Sequence, residues 1–117
     1  MANTFRVVTK SGVATDSSSP TSLYTVPAST TSVVLALLLT NKHSQSIKAT
    51  LVLDSDTTVP GASANVSVNI LKDISISEES ALELLAGQKY VLGTTDILKI
   101  YADNANLDVT FSFMEIT

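Results

Sequence analysis

The chain has 117 residues, enough for one domain built around one hydrophobic core. Charged residues make up 15% of the chain and the formal net charge is -4. This charge argues against a nucleic-acid-binding protein, which needs clustered Lys and Arg to neutralise phosphates. Because the chain has no cysteine, a disulfide framework, a thiolate metal site and a cysteine nucleophile are excluded. Packing or oligomerisation must therefore stabilise the fold.

Residues 1–22 divide into a strand-like start and a polar segment. Residues 5–9 are typical of a strand, whereas residues 13–22, VATDSSSPTS, are small and polar and contain Pro20, as in a linker or an exposed loop. Two arrangements follow: an N-terminal arm that lies along a neighbouring molecule, or a first strand followed by a long loop. We therefore divide the chain into an N-terminal strand or arm with a polar linker, 1–22, and a β-sandwich domain, 23–117.

From Leu23 onward the apolar residues recur with a period of two, which is typical of half-buried antiparallel strands. The alternation covers residues 47–53, 66–70 and 107–113, and it is most regular in the last of these. The side chains expected to face the core are Ile47, Ala49, Leu51, Leu53, Val66, Val68, Ile70, Leu107, Val109, Phe111 and Phe113.

Residues 33–39, VVLALLL, break this alternation because they are apolar on both faces. The core of a two-sheet sandwich covers only one face of a strand, so an arm, a loop or a second subunit should cover the other. An apolar run at a sheet edge would also promote aggregation, so we expect it in the sheet interior. At about a third of the roughly 20 residues that span a bilayer, the run does not indicate a membrane protein.

Turn signals separate the strands at short intervals and leave almost no helical segment that could connect parallel strands. We therefore predict an all-β fold: a single-domain antiparallel β-sandwich with an N-terminal strand or arm. Residues 77–87, SEESALELLAG, are ambiguous, because Ser77 could cap a helix that Gly87 ends. The alternation of Leu82 and Leu84 favours a strand, and a single turn at residues 77–80 would satisfy both signals.

The sequence offers little equipment for catalysis. His43 is the only histidine and lies in a polar segment typical of a turn, and Gly12, Gly61, Gly87 and Gly93 are isolated from one another, unlike the glycines of a phosphate-binding loop. We therefore predict that the chain is not an enzyme, that it has no catalytic residue and that it binds no cofactor.

Acidic and aromatic residues also favour a structural role. Asp54 and Asp56 resemble half of a calcium loop but lack its glycine and terminal glutamate, so we predict a surface loop and no metal site, with a calcium ion shared between subunits as the alternative. The adjacent Glu78 and Glu79 would face opposite sides of a strand and indicate a solvated turn. A carbohydrate-binding platform would favour Trp, which the chain lacks.

Three stretches together resemble small virion proteins of tailed phages, including cyanophages. They are LYTVPA followed by TSVVL (residues 23–28 and 31–35), ALELLAGQKYVL followed by DILKI (81–92 and 96–100), and LDVTFSFMEI (107–116). The resemblance covers roughly residue 23 to the C-terminus. One departure is Ser29, at a position after Pro-Ala where glycine is common.

The resemblance implies a jelly-roll-like sandwich attached to a phage particle. The leading hypothesis is a capsid decoration, or cement, protein that binds across subunits of the major capsid protein, as a homo-oligomer and commonly as a trimer. The alternatives are a neck, tail or fibre component that binds other virion proteins, or a host-surface or glycan-binding module. The start of the chain, Met1 to Arg6, shows no secretory signal, so we expect synthesis in the host cytoplasm and a final location in the virion, with no nucleic-acid or membrane partner.

The arm and the apolar run are where contacts with neighbours are expected. The candidate interface residues are Phe5, Val7, Val34, Ala36 and Leu38.

Overall fold

A computed structural model describes residues 2–84 and 90–117, and within these residues the chain forms strands, turns and loops but no helix. It follows that no described helix is long and apolar enough to cross a bilayer. The nine described strands are β1 (Asn3–Ser11), β2 (Thr21–Thr25), β3 (Thr31–Asn41), β4 (Ile47–Asp54), β5 (Val68–Ile76), β6 (Ala81–Leu84), β7 (Tyr90–Leu92), β8 (Ile97–Ala102) and β9 (Leu107–Ile116).

The strands form two antiparallel sheets that pack face to face. Sheet A has the order β1-β9-β3-β6, and β7 pairs with β3 beside β6; sheet B has the order β2-β8-β4-β5. The all-β architecture of two packed antiparallel sheets is as predicted. Because β3 lies between β9 and the β6 and β7 segments, the apolar run of residues 33–39 is in the sheet interior, as its composition required.

The core lies between the inner faces of the two sheets. Leu107, Val109, Phe111 and Phe113 of β9 are all fully buried, which confirms the most regular alternation in the sequence. Ile47, Ala49 and Leu51 of β4 are buried with them, and Leu53 is half-buried at the end of that strand. Phe111 and Phe113 stack with their ring centroids 4.9 Å apart, so an aromatic pair fills the centre of the sandwich.

The prediction for residues 66–70 is wrong in part. Val66 precedes β5 and is exposed, Val68 is also exposed, and Ile70 is half-buried. Val68 pairs with Leu53 but is the first residue of an edge strand, at the end of the core, whereas the register shifts between β4 and β5 place Leu71 and not Ile70 opposite the buried Leu51.

The N-terminal residues belong to the sandwich. Residues 3–11 form β1 and pair with β9 over nine consecutive residues without a register shift, which is the first-strand arrangement of the two considered. In the polar segment that follows, Val13 is buried and Ala14 forms a bridge to Tyr101, whereas residues 15–19 are exposed. The segment is therefore a surface loop held at its first residues.

Two turns show how local sequence sets the backbone. Ser29 has φ 55°, a left-handed conformation that glycine adopts without steric cost and a serine does not. At residues 77–80 the chain makes a turn in which the Ser80 hydroxyl donates to the Ser77 carbonyl at 2.7 Å, and residues 81–84 form a strand. Residues 85–87 of the ambiguous segment lie outside the described residues.

Candidate interaction surface

A row of apolar side chains crosses the outer face of sheet A. Phe5 on β1 lies opposite Met114 on β9, Met114 lies opposite Val33 on β3, and Val33 lies opposite Val91 on β7. The strand neighbours of Val33 and Met114 are buried, so these two side chains point away from the core, and Phe5 and Val91 share their face through the pairing. Phe5 is 72% exposed and Val91 is 67% exposed, so both ends of the row are open to solvent.

Two shorter rows extend this surface along the strands. In the second row Val7 lies opposite Ser112, and Ser112 lies opposite Ala36. Leu35, which has no partner on β9, is the extra residue of a bulge between Val34 and Ala36 and is exposed. In the third row Leu38 lies between Thr110 on β9 and Glu83 on β6.

Together these side chains form one apolar surface, which we call the apolar face. Its members are Phe5, Val7, Val33, Leu35, Leu38, Val91 and Met114. Ser112 is the polar residue that the described strands place in its first two rows, and it carries no charge. The face spans four strands about 4.8 Å apart and three rows about 7 Å apart along the strands, so it covers on the order of 400 Å², comparable to the largest apolar patch of a typical monomer, which is often functional.

The structure places the five predicted interface residues differently. Phe5, Val7 and Leu38 are exposed on the apolar face, and Ala36 is half-buried beside it. Val34 is fully buried in the core, so its place among the interface residues is corrected. The bulge after Val34 is the reason: strict alternation would place Val34 on the same face as Ala36 and Leu38, but the extra residue moves it to the opposite face.

Four further members of the apolar face, Val33, Leu35, Val91 and Met114, were not predicted, and Leu35 joins it through the bulge. Met114 carried a signal, since it continues the outward series Thr110 and Ser112 on β9. Val33 and Val91 carried none, because only the pairing of β3 with β7 and β9 brings them into the row with Phe5. A register between strands distant in sequence cannot be deduced from the alternation within each strand.

Beneath the apolar face a buried polar cluster joins the two sheets. Glu115 on β9 is 6% exposed, and its Oε2 accepts a hydrogen bond of 2.6 Å from the Tyr24 hydroxyl on β2. Arg6 on β1 donates from Nε to Oε1 of the same carboxylate. Ser32 on β3 lies 2.6 Å from the Tyr24 hydroxyl, whose proton is engaged with Glu115, so Ser32 is the donor in that contact.

The titration of this cluster follows from its contacts. The hydrogen bonds from Tyr24 and Arg6 lower the pKa of Glu115 below its ordinary value, because they stabilise the carboxylate. Burial, with the hydrogen bond to Glu115, raises the pKa of Tyr24 to about 12. Glu115 is therefore ionised and Tyr24 neutral near neutral pH. Both oxygens of the Glu115 carboxylate and the hydroxyls of Tyr24 and Ser32 are paired within the chain, which indicates a structural role.

Of the acidic residues singled out in the sequence, Asp54 is bound by other side chains of the chain. Asp54 Oδ2 accepts from Lys99 Nζ at 2.9 Å and Oδ1 accepts from the Ser67 hydroxyl at 2.6 Å, and these bonds lower its pKa. Asp56, Glu78 and Glu79 are exposed. Within residues 2–84 and 90–117 no group of three or more His, Asp or Glu residues is placed to hold a metal ion.

The hydrogen bonds described for His43 are made by its backbone and fix the loop that contains it. Its backbone N–H donates to Asn41 Oδ1 at 2.8 Å, and its carbonyl accepts from the Glu79 N–H at 3.2 Å. Asn41 is itself buried, and its Nδ2 donates to the carbonyls of Gln45, Ile76 and Ser77. The loop between β3 and β4 is therefore organised by Asn41.

A groove of about 380 Å³ lies at one end of the sandwich, beside Ser55, Asn65 and Asp96. Asp96 is its most buried acid, and its Oδ1 accepts from the Ser55 hydroxyl at 2.7 Å while its Oδ2 accepts from the Gly93 N–H at 2.9 Å. Asn65 Nδ2 donates in turn to Ser55. Both carboxylate oxygens of Asp96 therefore hold loops of the chain together, and the groove lies where these loops meet.

Comparisons with protein-family models, with curated proteins and with solved structures give no match to this chain.

Proposed function

We propose that the chain is a non-enzymatic structural protein of a tailed-phage particle that decorates the head by binding across subunits of the major capsid protein. The observation that carries this proposal is the apolar face. The largest contiguous apolar patch of a monomeric protein, at a few hundred Å², is often functional, and protein binding is one of the uses of such patches. The resemblance of residues 23–117 to small virion proteins is the reason for proposing a tailed-phage particle as the place of this interaction.

The size of the apolar face suits an attachment that depends on several contacts. Covering it would bury on the order of 800 Å² in total, counting both partners, which is below the roughly 1,200–2,000 Å² of a stable, specific protein interface. A single chain therefore binds modestly. When several copies are joined, each further contact becomes effectively intramolecular, and the assembly binds far more tightly than one copy.

The strand order supports the finer description of the fold as a jelly roll. In the orders β1-β9-β3-β6 and β2-β8-β4-β5, consecutive strands such as β1 and β2, β3 and β4, and β8 and β9 lie in opposite sheets. Double-sheet folds of this kind recur in viral capsid and lectin domains. A fold alone does not determine function, so the proposal depends on the apolar face and not on the topology.

Binding to phage heads that lack the chain tests the proposal. Val91→Asp places a charge in the first row of the apolar face, and we expect it to weaken binding by roughly tenfold or more because a buried unpaired carboxylate is costly. Val59→Asp is the matched control, since Val59 is a valine of similar exposure, 53% against 67%, in the segment between β4 and β5. Equal binding by both variants would contradict the proposal, as would failure of the unchanged protein to bind.

A further inference from the structure

The free edge of β1 presents a regular row of backbone hydrogen-bonding groups. Ala2 and Thr117 exchange both backbone hydrogen bonds, and the Gly12 N–H donates to the Leu107 carbonyl at 2.9 Å. Alternate residues of an antiparallel strand bond to the same neighbour, so the even-numbered residues of β1 bond to β9. The odd-numbered residues, Asn3, Phe5, Val7, Thr9 and Ser11, therefore direct their N–H and C=O groups to the other side, where the described residues place no strand.

The two edge strands of sheet B, β5 and β2, have features that prevent pairing with a further strand. The edge strand β5 has Asp73 in a left-handed conformation, φ 51°, and shifted registers with β4. The edge strand β2 has five residues, a register shift after Ser22 and Pro20 immediately before it. By contrast β1 has nine residues in unbroken register and no proline, and its two charged residues, Arg6 and Lys10, lie on the face of the strand that Phe5 and Val7 do not occupy. An edge of that kind is a template for another strand.

We propose that β1 pairs antiparallel with β1 of a second copy of the chain, in the register that places Val7 opposite Val7 of the second copy. Phe5 then lies opposite Thr9, and Asn3 lies opposite Ser11. All of these are odd-numbered residues, so every free N–H and C=O of β1 finds a partner, and about ten hydrogen bonds form.

The charges on β1 select this register. With Val7 at the centre, Arg6 lies opposite Val8 and Lys10 lies opposite Thr4. The two adjacent registers that also match odd residues with odd residues place Arg6 opposite Arg6, or Arg6 opposite Lys10. Like charges directly opposite each other destabilise a strand pair, so both alternatives are disfavoured. The strand is thus complementary to itself in one register and not in its neighbours.

The contact has a consequence for the apolar face. Antiparallel pairing at an edge places the two-fold axis perpendicular to the sheet, so the outer faces of both copies point to the same side. The second rows of the two apolar faces, which meet at Val7, become neighbours in one continuous sheet, and each first row is continued by the Thr9 row of the other copy. The apolar surface offered in one direction is thereby doubled. The pairing closes with two copies, unlike the trimer that the resemblance implies, and it does not depend on the proposed function.

Single-cysteine variants test the register directly, because the chain has no cysteine of its own. Opposite residues of a hydrogen-bonded pair have Cα atoms about 5.5 Å apart, within the roughly 4.4–6.8 Å range of disulfides. We expect Val7→Cys to form a disulfide-linked dimer rapidly on mild oxidation. Phe5→Cys should not, because the two copies of position 5 are four residues apart along the pair, about 13 Å. Val59→Cys is the control for random collision. Cross-linking of Val7→Cys no faster than that of the other two would overturn the proposal.

The mass of the unchanged protein gives a second readout. We expect twice the chain mass of 12.3 kDa at micromolar concentrations in sedimentation equilibrium. Val7→Pro should be a folded monomer, since it removes the central N–H of the pair and that N–H faces solvent in the single chain. Should Val7→Pro fail to fold, the cysteine series still decides. A monomer or a trimer of the unchanged protein would overturn the proposal, whatever the outcome of binding to phage heads.

Discussion

The Tyr24 hydroxyl donates a hydrogen bond of 2.6 Å to Glu115 Oε2 and thereby joins β2 of sheet B to β9 of sheet A inside the sandwich. The Tyr24 ring also packs on Phe113, with centroids 4.1 Å apart, so the polar contact is embedded in the aromatic part of the core. Because Arg6 of β1 binds the same carboxylate, this one acid connects the N-terminal strand, the C-terminal strand and the opposite sheet.

Removing the charge of Glu115 should destabilise the fold in a pH-dependent manner. The folded-state pKa of Glu115 is lowered, so its contribution to stability is present above the ordinary value of 4.5 and is lost as the pH falls through the folded-state pKa. We expect Glu115→Gln to lower the free energy of unfolding by about 2 kcal/mol at pH 7, because charged hydrogen bonds are lost. The difference should narrow below pH 4.5, as measured by urea denaturation. Glu83→Gln, at an exposed position, should change little, and a pH-independent effect of Glu115→Gln would contradict the account.

Alkaline pH should act through Tyr24. Its pKa rises from 10 to about 12 in the folded state, mainly because of burial, so the folded protein holds this proton more tightly than the unfolded chain. The stabilisation is therefore complete below pH 10 and is lost as the pH rises from 10 through 12. We expect Tyr24→Phe to be less stable at pH 7 by about 1 kcal/mol, from the lost hydrogen bond. Between pH 9.5 and 11.5 its urea midpoint should fall less steeply than that of the unchanged protein; parallel slopes would exclude Tyr24 as the titrating group.

The alternation of the sequence predicted the parts of the fold that depend on one strand at a time. β9 and β4 bury the expected side chains, since two-residue periodicity directly reports which face of a strand meets the core. The bulge between Val34 and Ala36 was not predictable, because it arises from the pairing of β3 with β9. The same limit applies to the apolar face. The sequence predicted Phe5, Val7 and Leu38 as interface residues and they lie on this face, whereas Val33 and Val91 belong to it only because of the cross-strand register.

The adjacent residues Leu37 and Leu38 separate folding from binding. Leu37 is fully buried on the core face, whereas Leu38 is exposed on the apolar face. Leu37→Asp buries an unpaired charge and should unfold the domain, at a cost of more than about 4 kcal/mol. Leu38→Asp should keep the circular-dichroism spectrum and most of the melting temperature but weaken binding to phage heads. Equal unfolding by both variants would show that the two faces of β3 are buried within one chain.

The left-handed backbone at Ser29 predicts a stabilising substitution. A non-glycine residue at φ 55° carries a steric cost of about 1 kcal/mol or more. Ser29→Gly removes that cost, and after the entropy that glycine adds to the unfolded chain we expect a net gain of up to about 1 kcal/mol. The neighbouring Ala28→Gly is the matched control and should lose stability, because Ala28 has no left-handed conformation to relieve. Thermal melts of the two variants should therefore shift in opposite directions; a loss in both would contradict this explanation of Ser29.

The copy number of the chain in purified virions tests head decoration most directly. A cement protein that binds across major capsid subunits through its apolar face should be present at a copy number comparable with that of the major capsid protein. A quantified gel or mass spectrometry of virions measures this ratio. A copy number equal to that of neck, tail or fibre proteins would contradict head decoration, and absence of the chain from virions would contradict a structural role in the particle altogether.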